Sequence, residues 1–198
     1  MKVFVIGFNK CGTTSLHEFF KRNGIASVHY DVVRSGPNTN LAKKFFENRE
    51  KNLPLLDGID EFQVYTDMEH QAARRNLSAY LHFDEIDAQY PGSRFILNLR
   101  DKDSWLKSRA NHNNGRYAQR QMVSNKVETL EEVTAVWSDL WDSHIAKVRA
   151  HFADRPGQLL EFRIDEDEPS KIADFLPEWD LDPAKFGRHN VTPGEKKN

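Results

Sequence analysis

One cysteine in 198 residues, Cys11, has no second thiol to pair with, so an internal disulfide is excluded. The same shortage rules out a thiolate zinc site, and the eight histidines include no His-Glu-x-x-His pair, which argues against metal catalysis. An excess of one charge is missing too. The 28 Lys and Arg against 30 Asp and Glu give a formal net charge of −2, without the basic footprint of a nucleic-acid binder. Any cationic patch must be local. No apolar run approaches the length of a bilayer span, and the N-terminal apolar stretch reads as a core strand, too short for a signal peptide. The expected compartment is the cytoplasm. Repeats and low-complexity tracts are absent as well. With 38% hydrophobic residues, the chain reads as one compact domain over residues 1–198 with a core of its own.

What is present begins at the N-terminus, in Met1 to Leu16, MKVFVIGFNKCGTTSL. Val3 to Ile6 read as a short buried strand, Gly7 to Gly12 as a turn, and Thr13 onward as the start of a helix. A strand, a glycine turn and a helix N-terminus make a phosphate cradle. The common nucleoside-triphosphate loop has two glycines five apart, then Lys, then a hydroxyl residue for magnesium. Gly7 and Gly12 keep that spacing, but Thr13 stands in the Lys position and the loop's Lys comes earlier, at Lys10. The amides, the helix dipole and the hydroxyls of Thr13, Thr14 and Ser15 still suit an anion. The departure points to a different transferred group or a different way of holding it.

Downstream, Leu16, Phe19 and Phe20 share a helical face that Gly24 ends. Ala26 to Tyr30 reads as a second strand, Leu41 to Glu50 as a short helix between breaks at Gly36-Pro37-Asn38 and Pro54 to Gly58, and Phe62 to Tyr65 as a third strand ending at Thr66-Asp67. Leu77 to Tyr90 reads as helical. Ser93 to Leu99 is another buried strand, ending in Arg100-Asp101, with Ser104 to Ser108 as the helix after it. Residues 109–128 are so polar that they read either as a solvated loop or as a lid over an acceptor. Thr129 and Glu132 form a capping box for a long amphipathic helix through Phe152, whose Trp stripe is core packing. Leu159 to Phe162 gives a last strand, Pro169 to Leu176 a last helix, and 187–198 a C-terminal tail. Apolar strands alternating with helices predict a three-layer α/β/α fold around a central parallel sheet.

An Arg at a strand end with a Ser on the following helix offers a donor fork and a hydroxyl suited to a terminal phosphate. Taken together, Lys10-x-Gly12-Thr13-Thr14-Ser15-Leu16 and Arg100-Asp101-x-Asp103-x-x-x-x-Ser108 closely resemble the two signatures of the sulfotransferases that use 3′-phosphoadenosine 5′-phosphosulfate (PAPS). The resemblance implies a P-loop nucleotide-binding architecture and sulfuryl transfer from PAPS to a hydroxyl or amine without a metal. Adenosine 3′,5′-bisphosphate would be the product. It further implies that Asn9, Lys10, Cys11, Gly12, Thr13, Thr14 and Ser15 hold the 5′-phosphosulfate, with Lys10 beside the leaving group. Arg100 and Ser108 would hold the 3′-phosphate. A C-terminal loop containing Arg188 would close over the nucleotide.

The base stays open. Better-known cytosolic members place a catalytic His at the end of the strand preceding the Arg-bearing strand, where this chain has Asp67. Asp31 and His29 at the end of the second strand are alternatives, as is His70. Acceptors in play are small molecules, glycans or other carriers of a hydroxyl or amine. Two further readings stand beside this one: a P-loop nucleotide or small-molecule kinase, against which Thr13 speaks, and a nucleotide-binding protein without turnover. Cys11 in an anion loop suggests a thiol phosphatase, but such a loop needs an Arg six residues on, where His17 stands.

Overall fold

The computed structural model describes residues 1–33, 39–72, 75–187 and 189. Strand β1 (Val3–Val5) leads through the glycine loop into helix α1 (Thr13–Arg22) and back along β2 (Ser27–His29). Two very short strands follow, β3 (Asp31–Val32) and β4 (Thr39–Asn40), then α2 (Leu41–Glu50). Asn40 caps α2 by accepting a bond from the Lys43 amide. Next come β5 (Val64–Thr66), a hairpin of β6 (Glu69–Ala72) and β7 (Arg75–Ser78), a 3-10 turn over Ala79–His82, and α3 (Phe83–Gln89). The remaining elements are β8 (Arg94–Leu99), α4 (Lys102–Ala110), α5 (Arg116–Asn125), α6 (Leu130–His151), β9 (Leu159–Arg163) and α7 (Ser170–Phe175).

The main sheet runs in the order β4-β3-β2-β5-β1-β8-β9. The five strands β2, β5, β1, β8 and β9 are mutually parallel, as expected, while β3 and β4 extend one edge in antiparallel sense. Side chains alternate between two cores, as a pleated strand requires. Phe4, Ile6, Tyr65, Phe95 and Leu97 face a core shared with α2 and α6. Val3, Val5, Val64 and Ile96 face a second one, shared with α1 and α7. Helices therefore cover both faces, and the parallel strands point their carboxyl ends at one common edge. Among the described residues, no helix is long and apolar enough to cross a membrane.

Two expectations need correction. Leu77 to Tyr90 is not one helix: its start completes the β6–β7 hairpin, and only Phe83–Gln89 is α-helical. Leu77 and Ala79 pack into the core from an extended segment and a tight turn, a pattern that short apolar runs cannot distinguish from a helix. Residues 109–128 are not a solvated loop either. Arg109 ends α4 in a buried position, and α5 packs Tyr117, Ala118 and Gln121 inward despite its polar composition. By contrast α6 forms with its capping box intact: the Thr129 hydroxyl accepts from the Glu132 amide, and the Glu132 carboxylate accepts from the Thr129 amide.

That cap stabilises a helix that spans one face of the sheet. Thr129→Ala should lower the unfolding free energy by about 1 kcal/mol, read from urea denaturation. An unchanged midpoint would mean that α6 is held by packing alone.

Candidate active site

The loop between β1 and α1 is built from backbone groups that need partners, and the core side supplies them by side chain. Asn98, fully buried near the carboxyl end of β8, accepts from the Gly7 amide at 2.9 Å and donates to the carbonyls of Phe8 and Cys11, each at 3.0 Å. Trp105 Nε1 donates to the Asn9 carbonyl at 3.0 Å, and His144 Nε2 to the Ile6 carbonyl at 2.7 Å. Burial drives His144 down to about 4, so its ring stays neutral. Arg100 Nη1 reaches the Lys10 carbonyl at 3.4 Å. Carbonyls that would repel an anion are thus occupied by donors, while the first amides of α1 have no partner within the helix. Gly7 must be glycine, because a Cβ there would lie 2.1 Å from the Asn98 carbonyl oxygen. Gly12 must turn at φ 80° where the loop becomes helix.

Around this loop the topology lines up the ends of neighbouring strands. In sheet order these are Tyr30 after β2, Asp67 after β5, Lys10 in the loop after β1, and Arg100 after β8. Tyr30, Asp67 and Lys10 all hold left-handed backbone, at φ 60°, 52° and 64°. For non-glycine residues such conformations cost roughly 1–3 kcal/mol each and gather at functional sites.

The electrostatics follow from this row. Burial, and then the Arg100 charge, lowers the Lys10 ammonium, while Asp67 acts the other way. Asp67 is pushed up to about 7, first by burial and then by Glu69, against the pull of Lys10 and Arg109. His29 is held down to about 4, chiefly by burial and then by His17. Its Nε2 lies 3.5 Å from Asp67 Oδ2 and 3.3 and 3.4 Å from the hydroxyls of Thr13 and Thr14.

The other expected residues fall as follows. Asp31 lies in β3 and accepts from Asn40 Nδ2 at 3.0 Å, turned into the sheet's antiparallel edge. His70 sits on β6, with Nδ1 3.1 Å from the Tyr30 hydroxyl. Ser15 is buried, and its hydroxyl accepts from the His189 amide at 2.9 Å. Cys11 is fully buried in the core, and burial drives its thiol far up, so only its backbone faces the loop. Ser108 is half-buried on the last turn of α4. Arg188 lies outside the described residues. Among the described residues, no three His, Cys, Asp or Glu side chains gather as a metal site.

A model of the sulfotransferase domain family matches residues 2–142, well over half the chain and the row of strand ends from Tyr30 to Arg100. The chain belongs to that family. No curated protein matches it. It is a transferase domain of the sulfuryl-transferring kind.

Within this sulfotransferase domain, several residues that shape the site had escaped the sequence reading. Asn98 had a signal, a lone polar residue inside the apolar run Phe95-Ile96-Leu97-Asn98-Leu99. Glu69, Arg109 and Tyr117 had none. They form a buried cluster beneath Asp67: Tyr117 Oη donates to Glu69 Oε1 at 2.5 Å, and Arg109 Nε donates to Tyr117 Oη at 3.0 Å. Arg109 Nη2 also reaches Glu69 at 3.3 Å, and the guanidinium lies about 5 Å from the rings of Trp105, Tyr117 and Trp137.

Asn98→Ala should strand one amide and two carbonyls in the core and destabilise the fold by about 3 kcal/mol. Near-native stability in urea would remove Asn98 as the anchor of the loop. A second outcome concerns Asp67. Its folded value of about 7 lies above the ordinary 3.8, so its contribution to stability is present at acidic pH and is lost as pH rises through 7. His29, lowered, acts oppositely, its contribution being lost as pH falls below the ordinary 6.5 toward 4. Wild type and Asp67→Asn share the His29 effect, so their difference isolates Asp67. That difference should move in favour of the variant between pH 5 and pH 8. A difference independent of pH would show that Asp67 does not titrate there.

Proposed function

We propose that this domain transfers the sulfuryl group of PAPS to a hydroxyl or amine, with Lys10, Arg100 and Asp67 as its principal groups. The observation that carries the reading is the row of strand ends that sets a carboxyl of raised proton affinity on one side of Lys10 and a guanidinium on the other. The residues present suit such a nucleotide. The turn at Gly12 and the N-terminal amides of α1 form a cradle for one phosphate, and Lys10 and Arg100 add positive charge at its rim. Ser108 is assigned to the far phosphate with Arg100 by the family's motif spacing. His112 supports a role for the α4–α5 connection at the rim, since after burial the Lys10 charge lowers its ring most.

PAPS, when bound, supplies an activated sulfuryl group on a phosphate. Lys10 would stabilise the charge that grows on the departing phosphate, a contact that strengthens toward the transition state. Asp67 would accept the proton of the acceptor. With its proton affinity pushed up to about 7, it grips the proton more firmly than an ordinary carboxylate. His29, neutral and close to Asp67 and to both threonine hydroxyls, would hold the carboxyl in place.

Calorimetry with adenosine 3′,5′-bisphosphate and adenosine 5′-phosphate tests the nucleotide assignment. Arg100→Ala should weaken the bisphosphate by roughly 1.5–3 kcal/mol and the monophosphate far less. Equal losses would count against it, and magnesium-dependent ATP binding in its place would favour a kinase. Asp67→Asn should preserve bisphosphate affinity while slowing transfer about 10²–10⁴-fold. In the wild type, kcat/KM should rise with pH through about 7, as Asp67 loses its proton. Wild-type rates in Asp67→Asn would move the base to Asp31, His29 or His70.

A further inference from the structure

Tyr30 occupies a position that turn chemistry reserves for other residues. It is the single residue between β2 and β3, where His29 pairs with Asp31 and the chain must reverse at φ 60°. Gly, Asn or Asp adopt that conformation with least strain, and a bulky aromatic there is an outlier. The surroundings hold it in place regardless. Its amide donates to the Thr66 carbonyl at 3.2 Å, and its carbonyl accepts from the Leu41 amide at 2.9 Å and from Asn40 Nδ2 at 3.0 Å.

Burial does not compensate for the strain, because the residue is 36% exposed. Its polar contact is with His70, hydroxyl to Nδ1 at 3.1 Å, with the rings 6.1 Å apart and inclined by 37°. Partial burial and then the carboxylates of Asp31, Asp67 and Glu69 raise its phenol, which places the hydroxyl within their field. Sheet order sets Tyr30 beyond Asp67 on the side away from Lys10 and Arg100. That is the side left for an acceptor once the nucleotide occupies the loop.

We propose that Tyr30 is a specificity-determining residue: its exposed face, braced by His70, stacks a hydroxyl-bearing ring so that one ring hydroxyl points to Asp67. The assignment of this side to the acceptor rests on the proposed function above. A rigid Tyr offers a large apolar face at little entropic cost, which suits the flat face of a sugar or a phenol. Neighbouring carboxylates accept bonds from ring hydroxyls. A linear alkyl amine would use neither feature.

The test uses Tyr30→Gly, which removes the ring and relieves the strained backbone, and Tyr30→Phe, which keeps the ring. The probes are methyl β-D-glucopyranoside and p-nitrophenol, followed by saturation-transfer NMR with and without saturating adenosine 3′,5′-bisphosphate. The wild type should bind at least one ring, and the sugar and phenol arms tell which source fits. Tyr30→Gly should weaken that ring about tenfold or more, while bisphosphate affinity stays within about twofold and the melting temperature does not fall. Tyr30→Phe keeps the ring and loses only the hydroxyl bond to His70, so it should fall between the wild type and Tyr30→Gly, and a loss as large as that of Tyr30→Gly overturns the stacking role. Wild-type ring binding in Tyr30→Gly overturns the proposal. So does a loss matched by a lower melting temperature, which would make Tyr30 a structural latch. A wild type that binds bisphosphate but neither ring overturns it also. Ring binding without bisphosphate binding would overturn the nucleotide reading and leave Tyr30 standing; binding of neither overturns both.

Discussion

Asn98 is the constraint on which the site depends. One carboxamide, fully buried in β8, ties an amide and two carbonyls of the loop that follows β1, so the loop is fixed to the neighbouring strand at three points. A side chain with both a donor and an acceptor is needed there, because the loop turns both kinds of group inward. Aspartate could not serve the carbonyls, and leucine could serve none. The close approach that makes these bonds possible also excludes any side chain at Gly7. Loop geometry and strand packing are thus one requirement, met by two residues 91 positions apart. With the inward groups satisfied, what remains at the loop's outer side is the amide end of α1, a fixed partial positive charge that needs no rearrangement when an anion arrives.

A second layer of charge lies behind the first. Glu69 and Arg109 are an ion pair almost wholly out of water, an arrangement that rarely adds net stability over an apolar packing of the same volume. Tyr117 bonds both partners and the aromatic cage surrounds the guanidinium, which reduces the penalty in part, while Glu69 Oε2 and Arg109 Nη1 find no hydrogen-bond partner among the described residues. Their value is better sought in the electrostatics of the neighbour. Glu69 favours the protonated form of Asp67, whereas Arg109 and Lys10 favour the ionised form, and after burial the balance leaves a carboxyl poised near neutrality. The helix α5 matters in the same way, since it carries Tyr117 into the cluster and closes over the ion pair.

The legible part of this protein was the part written in local chemistry. Strand, glycine turn and helix N-terminus are contiguous in Val3 to Leu16, and Arg100 to Ser108 lie within one strand end and one helix. Apolar runs located the parallel strands, and the Thr129–Glu132 box located the start of α6. What escaped depends on partners far along the chain. The β6–β7 hairpin is short and polar, with no alternation to mark it. Buried Arg109 reads as a surface residue until Glu69, 40 positions away, is seen beside it. Asp67 could be nominated from its place after a strand, but its proton affinity comes from burial and from neighbours that only the fold brings near.

The order of the strands gives the site its direction. Because β2, β5, β1 and β8 are adjacent and parallel, their carboxyl ends present Tyr30, Asp67, Lys10 and Arg100 as a graded series from neutral through acidic to basic. On the proposed reading, the cationic end of the row is where an anionic donor would sit, and the carboxyl end is where its acceptor would meet a base. The proton lost by such an acceptor would then move toward the carboxyl and away from the cations. The strained backbone at three of these four positions is consistent with this division. At Tyr30 the neighbouring segments hold the strained backbone through hydrogen bonds to the Thr66 carbonyl and from the Leu41 amide. The sheet therefore does more than carry the loop: on the proposed reading, its topology sets the place where charge would be stabilised apart from the place where a proton would be taken.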